Sequence, residues 1–170
     1  MIRIYLTGFM GTGKTTVGEL LAENLGCRFV DLDALIVEDA GKSISDIFAT
    51  LGEERFRDME SAMLHALDQT AALVVATGGG IILRETNRCF MRDTGYVINL
   101  AASLETIDAR LTGDTSRPLL RGDSRHQRLR ALFMQRQHLY DECDFKLETT
   151  GKAPMEIVSI ILLWLKNRGE

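Results

Sequence analysis

The chain has 170 residues, 45% of them hydrophobic and 26% charged, with two prolines. This suits one compact domain and excludes disordered, collagen-like and low-complexity chains. The formal net charge is −4, which does not favour a nucleic-acid partner.

In chain order, residues 2–6 read as a short apolar strand that runs straight into a glycine-rich loop. Residues 15–25 have helical apolar spacing (Val17, Leu20, Leu21, Leu25) and stop at Gly26. A second strand is expected at 28–31, then helical material over 34–69, interrupted near Gly41 and Gly52. Residues 72–76 form a buried strand closed by Gly78-Gly79-Gly80. A short helix at 85–92 precedes a strand at 96–100. Residues 103–111 are a helix capped by Ser103, with a Glu near a capping-box position. Residues 112–123 are a loop, 124–139 a helix, 145–148 a strand, and 154–166 a final helix with Pro154 in its first turn. Strands alternating with helices predict an α/β domain over 1–170: three layers, α/β/α, around five parallel strands. The ligand is then expected beyond the carboxyl ends of the strands.

Three cysteines, Cys27, Cys89 and Cys143, offer neither a CxxC pair nor zinc spacing. The N-terminus has no signal-peptide pattern, and the longest apolar run, 157–165, is too short for a bilayer and is broken by Ser159. A cytoplasmic protein with no membrane partner is the default expectation, and a monomer likewise.

Gly8-Phe9-Met10-Gly11-Thr12-Gly13-Lys14-Thr15 fits G-x-x-x-x-G-K-[ST] in full, between a strand and a helix. Its glycines turn backbone N–H groups inward to cradle phosphate oxygens, and the following helix N-terminus adds partial positive charge. In such loops the lysine reaches the β and γ phosphates and the hydroxyl at the Thr15 position ligates Mg²⁺. The D-x-x-G and N-K-x-D motifs of a GTPase are absent. The strand at 72–76 ends in Thr77 and glycines rather than Asp, so a metal carboxylate must come from elsewhere. Asp31 and Asp33 stand two apart at the end of the second strand, where an extended backbone would put both on one face. Asp33 is alternatively a cap for the helix at Ala34.

The basic residues are mostly arginine, 15 against five lysines. Seven arginines fall between Arg110 and Arg136 against two acids, Asp114 and Asp123. Arginine suits bidentate recognition of carboxylate or phosphate; a solvated basic face is the plainer reading. Arg57 has Glu53 and Glu60 at i−4 and i+3, so surface ion pairing explains it as well as a ligand does. Arg136 is different. The apolar stripe of its helix runs Leu129, Leu132, Phe133 and then position 136, where a core residue belongs. A charge there requires a partner, and a bound carboxylate would supply one. Arg128 and Arg130 project off that stripe, towards solvent. Arg121 and Arg125 carry no assignment.

Taken in order, the P-loop, Asp31-Leu32-Asp33, Phe56-Arg57 with Glu60, Thr77-Gly78-Gly79-Gly80, Arg117-Pro118-Leu119-Leu120, and Arg136 followed by Tyr140 resemble the shikimate kinase family from Gly8 to about Pro154. The resemblance implies a fold similar to nucleoside monophosphate kinases, with the P-loop at 8–15, a substrate-binding helical region at about 32–62 and a mobile lid at about 112–124. It implies transfer of the γ-phosphoryl of ATP to the 3-hydroxyl of shikimate in aromatic amino-acid biosynthesis. The catalytic set would be Lys14, Asp33 and Arg117. ATP would be held by Gly11, Thr12, Gly13, Lys14, Thr15, Thr16, Arg110, Arg117 and, in the adenine-contact loop, Ala153 and Pro154. Shikimate would be held by Asp33, Arg57, Gly78, Gly79, Gly80 and Arg136, and Mg²⁺ by Thr15 and, through water, Asp31. Another small-metabolite kinase, gluconate-kinase-like, stays open as an alternative. So does a nucleotide-binding module without transfer activity, although the one aromatic of the arginine-rich segment, Phe133, gives RNA no stacking platform.

Overall fold

The computed structural model describes residues 2–112 and 124–169. The expected lid, with Arg117 and Arg121, falls on residues outside that set, except for Thr112 and Ser124. Five strands, β1 (Arg3–Thr7), β2 (Arg28–Asp31), β3 (Leu73–Ala76), β4 (Tyr96–Ala101) and β5 (Phe145–Glu148), form one parallel sheet in the order β2-β3-β1-β4-β5. Helices α1 (Lys14–Leu25), α2 (Leu32–Ala40), α3 (Ile44–Ala66), α4 (Glu85–Thr94), α5 (Leu104–Leu111), α6 (Arg125–Tyr140) and α7 (Pro154–Lys166) connect or follow them.

The central strands are apolar on both faces, as a covered parallel sheet requires. Successive side chains point to opposite sides. Ile4, Leu6, Val74, Ile98 and Leu100 pack with Val17 and Leu21 of α1 and Ile157, Val158 and Ile161 of α7. Tyr5, Leu73, Val75 and Val97 pack on the other side with Leu64, Met91, Ile107 and Leu129 of α3, α4, α5 and α6. Each such side chain, when fully buried, contributes roughly 1.5–3 kcal/mol. A third, smaller cluster, Ile36, Ile47 and Phe56, joins α2 to α3.

Several boundaries differ from the sequence expectation, each for a local reason. α2 begins at Leu32, and its cap is Asp31, whose Oδ1 accepts from the Ala34 amide at 3.2 Å. Asp33 therefore lies inside the first turn and is not the cap. Asp31 ends the extended strand, but Leu32 and Asp33 are already helical, so strand alternation is not what relates the two aspartates. The helical stretch after it breaks at Gly41, in the left-handed region, and at Gly52 (φ 82°, ψ 168°), where α3 kinks. Ser103 does cap α5, but its hydroxyl accepts from Thr106, which holds the position a capping-box Glu would need. A 3₁₀ turn at Ile81–Leu83, not foreseen, follows the glycine run. Asp108 of α5 accepts from Arg125 Nη1 and pairs with His126 Nδ1, both at 3.0 Å, tying α5 to the start of α6. That gives Arg125 a structural partner.

β1 leads through α1 to β2 on one side, and β3 leads through α4 to β4 on the other. Where these directions part, the carboxyl ends of β1, β2 and β3 converge on one crevice.

Candidate active site

The loop after β1 is shaped by backbone. Gly8, Gly11 and Gly13 all have positive φ, at 145°, 78° and 94°, conformations that a Cβ disfavours. At Gly8 an added Cβ would also meet the Leu100 carbonyl oxygen at 2.4 Å. Thr12 is buried, and its hydroxyl donates to the Phe9 carbonyl at 2.9 Å. Lys14 donates from Nζ to the Gly8 and Phe9 carbonyls at 2.8 and 3.0 Å, which holds its ammonium over the loop. A bowl of about 190 Å³ lies beside it, lined by residues including Gly11, Gly13, Lys14, Thr15, Thr16 and Asp31. There the Thr15 hydroxyl donates to Asp31 Oδ2 at 2.8 Å. Two oxygen donors joined in this way fit a hard divalent cation that keeps most of its other ligands as water and phosphate. No cluster of three or more metal-ligating side chains occurs among the described residues.

This bowl shares Met10, Thr15, Asp31, Asp33 and Gly79 with a cavity of about 610 Å³, whose polar wall holds Asp33, Arg57, Glu60, Gly78–Gly80 and Arg136. The remainder of its lining includes Val37, Ile44, Phe48 and Phe56. Asp31 and Asp33 thus do face one space, through the start of α2 rather than through an extended strand.

The glycine run is a wall fitted to side chains. A Cβ at Gly78 would meet Glu60 Oε1 at 2.4 Å and Asp33 Oδ1 at 2.8 Å, and one at Gly80 would meet Arg57 Nη1 at 2.3 Å. The Gly79 carbonyl accepts a hydrogen bond from the Tyr140 hydroxyl. Gly78 and Gly80 therefore let three charged groups, Glu60, Asp33 and Arg57, approach the backbone.

Arg57 is not a surface ion-pair residue, as its helical spacing allowed. It is 6% exposed, and it donates from Nη1 to Glu60 Oε2 at 2.6 Å and from Nη2 to Glu53 Oε1 at 2.9 Å. Its guanidinium also lies over the Phe56 and Phe48 rings, at 5.3 and 5.9 Å. Burial works against its charge, but the two carboxylates outweigh burial and hold it above the ordinary arginine value.

Arg136 is 3% exposed at the core-stripe position. It makes no carboxylate ion pair with a described residue, and its Nε has no hydrogen-bond partner. Burial pulls its guanidinium below the ordinary value; Tyr140 opposes that, and the like charge of Arg57 adds to it. A guanidinium removed from water without a carboxylate is costly unless an anion completes it. Both arginines line the cavity that opens onto the phosphate bowl. By contrast, Arg128 and Arg130 are exposed, as their position off the stripe implies.

Two residues that sequence reasoning left out of the site belong to it geometrically. Glu60 is 1% exposed and joins Arg57 to the glycine wall. Burial pushes its carboxyl up to about 7, although Arg57 beside it pulls the other way and Asp33 adds to the rise. Tyr140 lies one turn beyond Arg136 and is likewise buried, which raises its phenol. Its signal was the i+4 spacing from Arg136; for Glu60 it was the i+3 spacing from Arg57. Among the other expected contacts, exposed Arg110 donates to the Gly11 carbonyl at 3.1 Å. Ala153 and Pro154 are exposed at the start of α7 and line neither cavity. Arg117 lies outside the described residues.

The family model for shikimate kinase matches residues 10–166. A shikimate kinase of Geobacter sulfurreducens is 48% identical over 96% of this chain and 91% of its own length. One from Persephonella marina is 46% identical over 95% and 98%. Among solved structures, a shikimate kinase from Acinetobacter baumannii in complex with shikimate superposes with a TM-score of 0.95 at 40% identity, covering 100% of this chain and 96% of that one. A match of the family model to most of the chain, and relatives of that one name at 40–48% identity over nearly its full length, place it plainly: the chain belongs to the shikimate kinase family.

Proposed function

We infer that the chain uses ATP to phosphorylate shikimate, placing the phosphoryl group on the 3-hydroxyl. The observation that carries this reading is Arg136, a buried guanidinium that no described carboxylate pairs, in a cavity continuous with a phosphate-binding loop. A small carboxylated polyol supplies what that cavity lacks.

In this reading the substrate carboxylate bridges Arg57 and Arg136, and Asp33 takes the hydroxyls that face the phosphate bowl. Phosphoryl transfer is mostly positioning and charge neutralisation. Lys14 moves from the loop carbonyls to the transferring phosphoryl group. Asp33 orients the attacking oxygen and accepts its proton late, since a loose transition state asks little of a base. Tyr140 fixes the glycine wall through Gly79, and that wall limits how the ring seats. Thr15 and Asp31 would hold Mg²⁺, which when bound supplies positive charge to the β and γ phosphate oxygens. Arg110 sits where it can reach the nucleotide beside Gly11. Arg117, Ala153 and Pro154 are assigned to ATP on the family resemblance.

A coupled ADP-release assay tests the reading. ADP release that depends on shikimate and not on gluconate is the expected result. Turnover with gluconate alone would move the chain to another metabolite-kinase activity. Nucleotide binding with no acceptor-dependent turnover would make it a binding module.

A further inference from the structure

Glu60 is more than a tether for Arg57. Only one of its oxygens is used: Oε2 accepts from Arg57 at 2.6 Å, while buried Oε1 has no hydrogen-bond partner. That second oxygen points at the glycine wall, 2.4 Å from where a Gly78 Cβ would stand, and Asp33 Oδ1 lies 2.8 Å from the same point. Two carboxylates therefore converge on one spot of the cavity wall.

The charges that face Glu60 can be named element by element. α3 itself presents Arg57 and, at its kink, Glu53; α2 presents Asp33; α6 presents Arg136 and Tyr140. Before an acid binds, Arg57 serves two carboxylates, Glu60 and Glu53. A substrate carboxylate arriving between Arg57 and Arg136 becomes a third. It draws Arg57 away from Glu60 and brings a like charge close to a carboxylate that has almost no access to water. A buried carboxylate in that position lowers its energy by taking a proton. The proton would go to Oε1, turning the unused acceptor beside Gly78 into an O–H group.

We propose that Glu60 is a proton-exchanging positioning residue: binding of the carboxylated substrate at Arg57 and Arg136 is coupled to proton uptake by Glu60. This rests on the assignment of shikimate as substrate. Glu60 already stands near the neutral range before binding, at about 7, because of its burial. Binding raises it further. At pH values between the free and bound positions the complex holds more protons than the free enzyme, so affinity falls as pH rises through that window. Well below it Glu60 is protonated in both states, and well above it in neither, so uptake disappears at both ends.

The test is calorimetric titration of the full chain with shikimate, in buffers of different ionisation enthalpy, across about pH 5.5 to 9. The expected result is uptake of about half a proton or more per shikimate near pH 7.5, with affinity falling by up to roughly tenfold per pH unit there. Glu60→Gln, which keeps an acceptor for Arg57 and cannot ionise, abolishes the uptake and flattens the affinity profile. In the unaltered chain, shikimate methyl ester, which lacks the charge, binds without the uptake. That arm stands even if the variant fails to fold. Shikimate binding with no proton exchange in the unaltered chain, or equal exchange in Glu60→Gln, overturns the proposal and leaves the substrate assignment intact. Failure of shikimate to bind at any pH overturns both.

Discussion

The two ends of the crevice are built in opposite ways. At the phosphate end, eight consecutive residues shape the loop, the groups that face a ligand are mainly backbone amides, and the one lysine rests on carbonyls of the same loop. At the acid end, the glycine run supplies a backbone wall and the charged groups are side chains from α2, α3 and α6, of which Arg57, Glu60 and Arg136 are held out of water and Asp33 is half-buried. A backbone site costs little to keep empty, because water can enter and peptide groups carry only partial charge. A side-chain site built from buried guanidinium and carboxylate groups carries a desolvation cost at all times. The phosphate loop is therefore built locally, whereas the arginine-lined end is assembled by the whole fold.

Lys14→Ala gives the sharpest test of that division. It should lower kcat by about a thousandfold or more, the scale of a cation that stabilises a transferring phosphoryl group. Thermal stability and shikimate affinity by calorimetry should stay near those of the unaltered chain. Arg136→Ala should do the reverse: shikimate KM rises with a loss of about 2–5 kcal/mol, or roughly 30- to 5,000-fold, while ATP affinity holds. An equal loss of both affinities would break the comparison, because the acid end would then be supporting the fold of the phosphate end.

A third prediction concerns stability without any ligand. The carboxyl of Glu60 is raised from 4.5 to about 7 in the folded chain. The folded state therefore binds more protons, and this group's contribution is fully present below about pH 4.5 and lost as pH rises through 7. Glu60→Gln should gain up to about 3 kcal/mol on the unaltered chain between those limits, read as the difference between their chemical-denaturation curves at each pH. A constant difference would mean that Glu60 is ionised throughout.

Gly80→Ala follows, with an added methyl where Arg57 Nη1 would be 2.3 Å away. Overpacking costs about 1–3 kcal/mol, expected as roughly 5- to 150-fold in shikimate KM with little change for ATP. The smallest effect is Arg130→Ala. Exposed and off the helix stripe, it should change stability by less than about 0.5 kcal/mol and neither KM.

The same division governs what could be read from the sequence. The P-loop is contiguous, and its glycines and lysine stand at fixed offsets, so its geometry was legible from a single line of text. Arg136 was legible for a different reason. It breaks an apolar stripe, and a broken pattern in a helix marks a buried charge. Arg57 gave no such mark, since Glu53 and Glu60 at helical spacing describe a solvated pair and a buried one equally well; only the packing of α3 against the glycine run decides. Asp33 lines the same cavity as Asp31, but through the first turn of α2 rather than along the extended backbone expected from the sequence. Tyr140 and Glu60 act through partners 61 and 18 residues distant, Gly79 and Gly78, and no local pattern encodes such a distance.

The glycine run bears on how this protein can change over time. Every replacement of a glycine adds at least a Cβ, and at Gly78 and Gly80 that one atom would overlap Glu60, Asp33 or Arg57. No conservative neighbour exists for either position. A lineage that altered this wall would first have to move a charged side chain behind it, so new acceptor specificity is more accessible through the apolar lining around Val37, Ile44 and Phe48, where side chains can be exchanged for others of similar size.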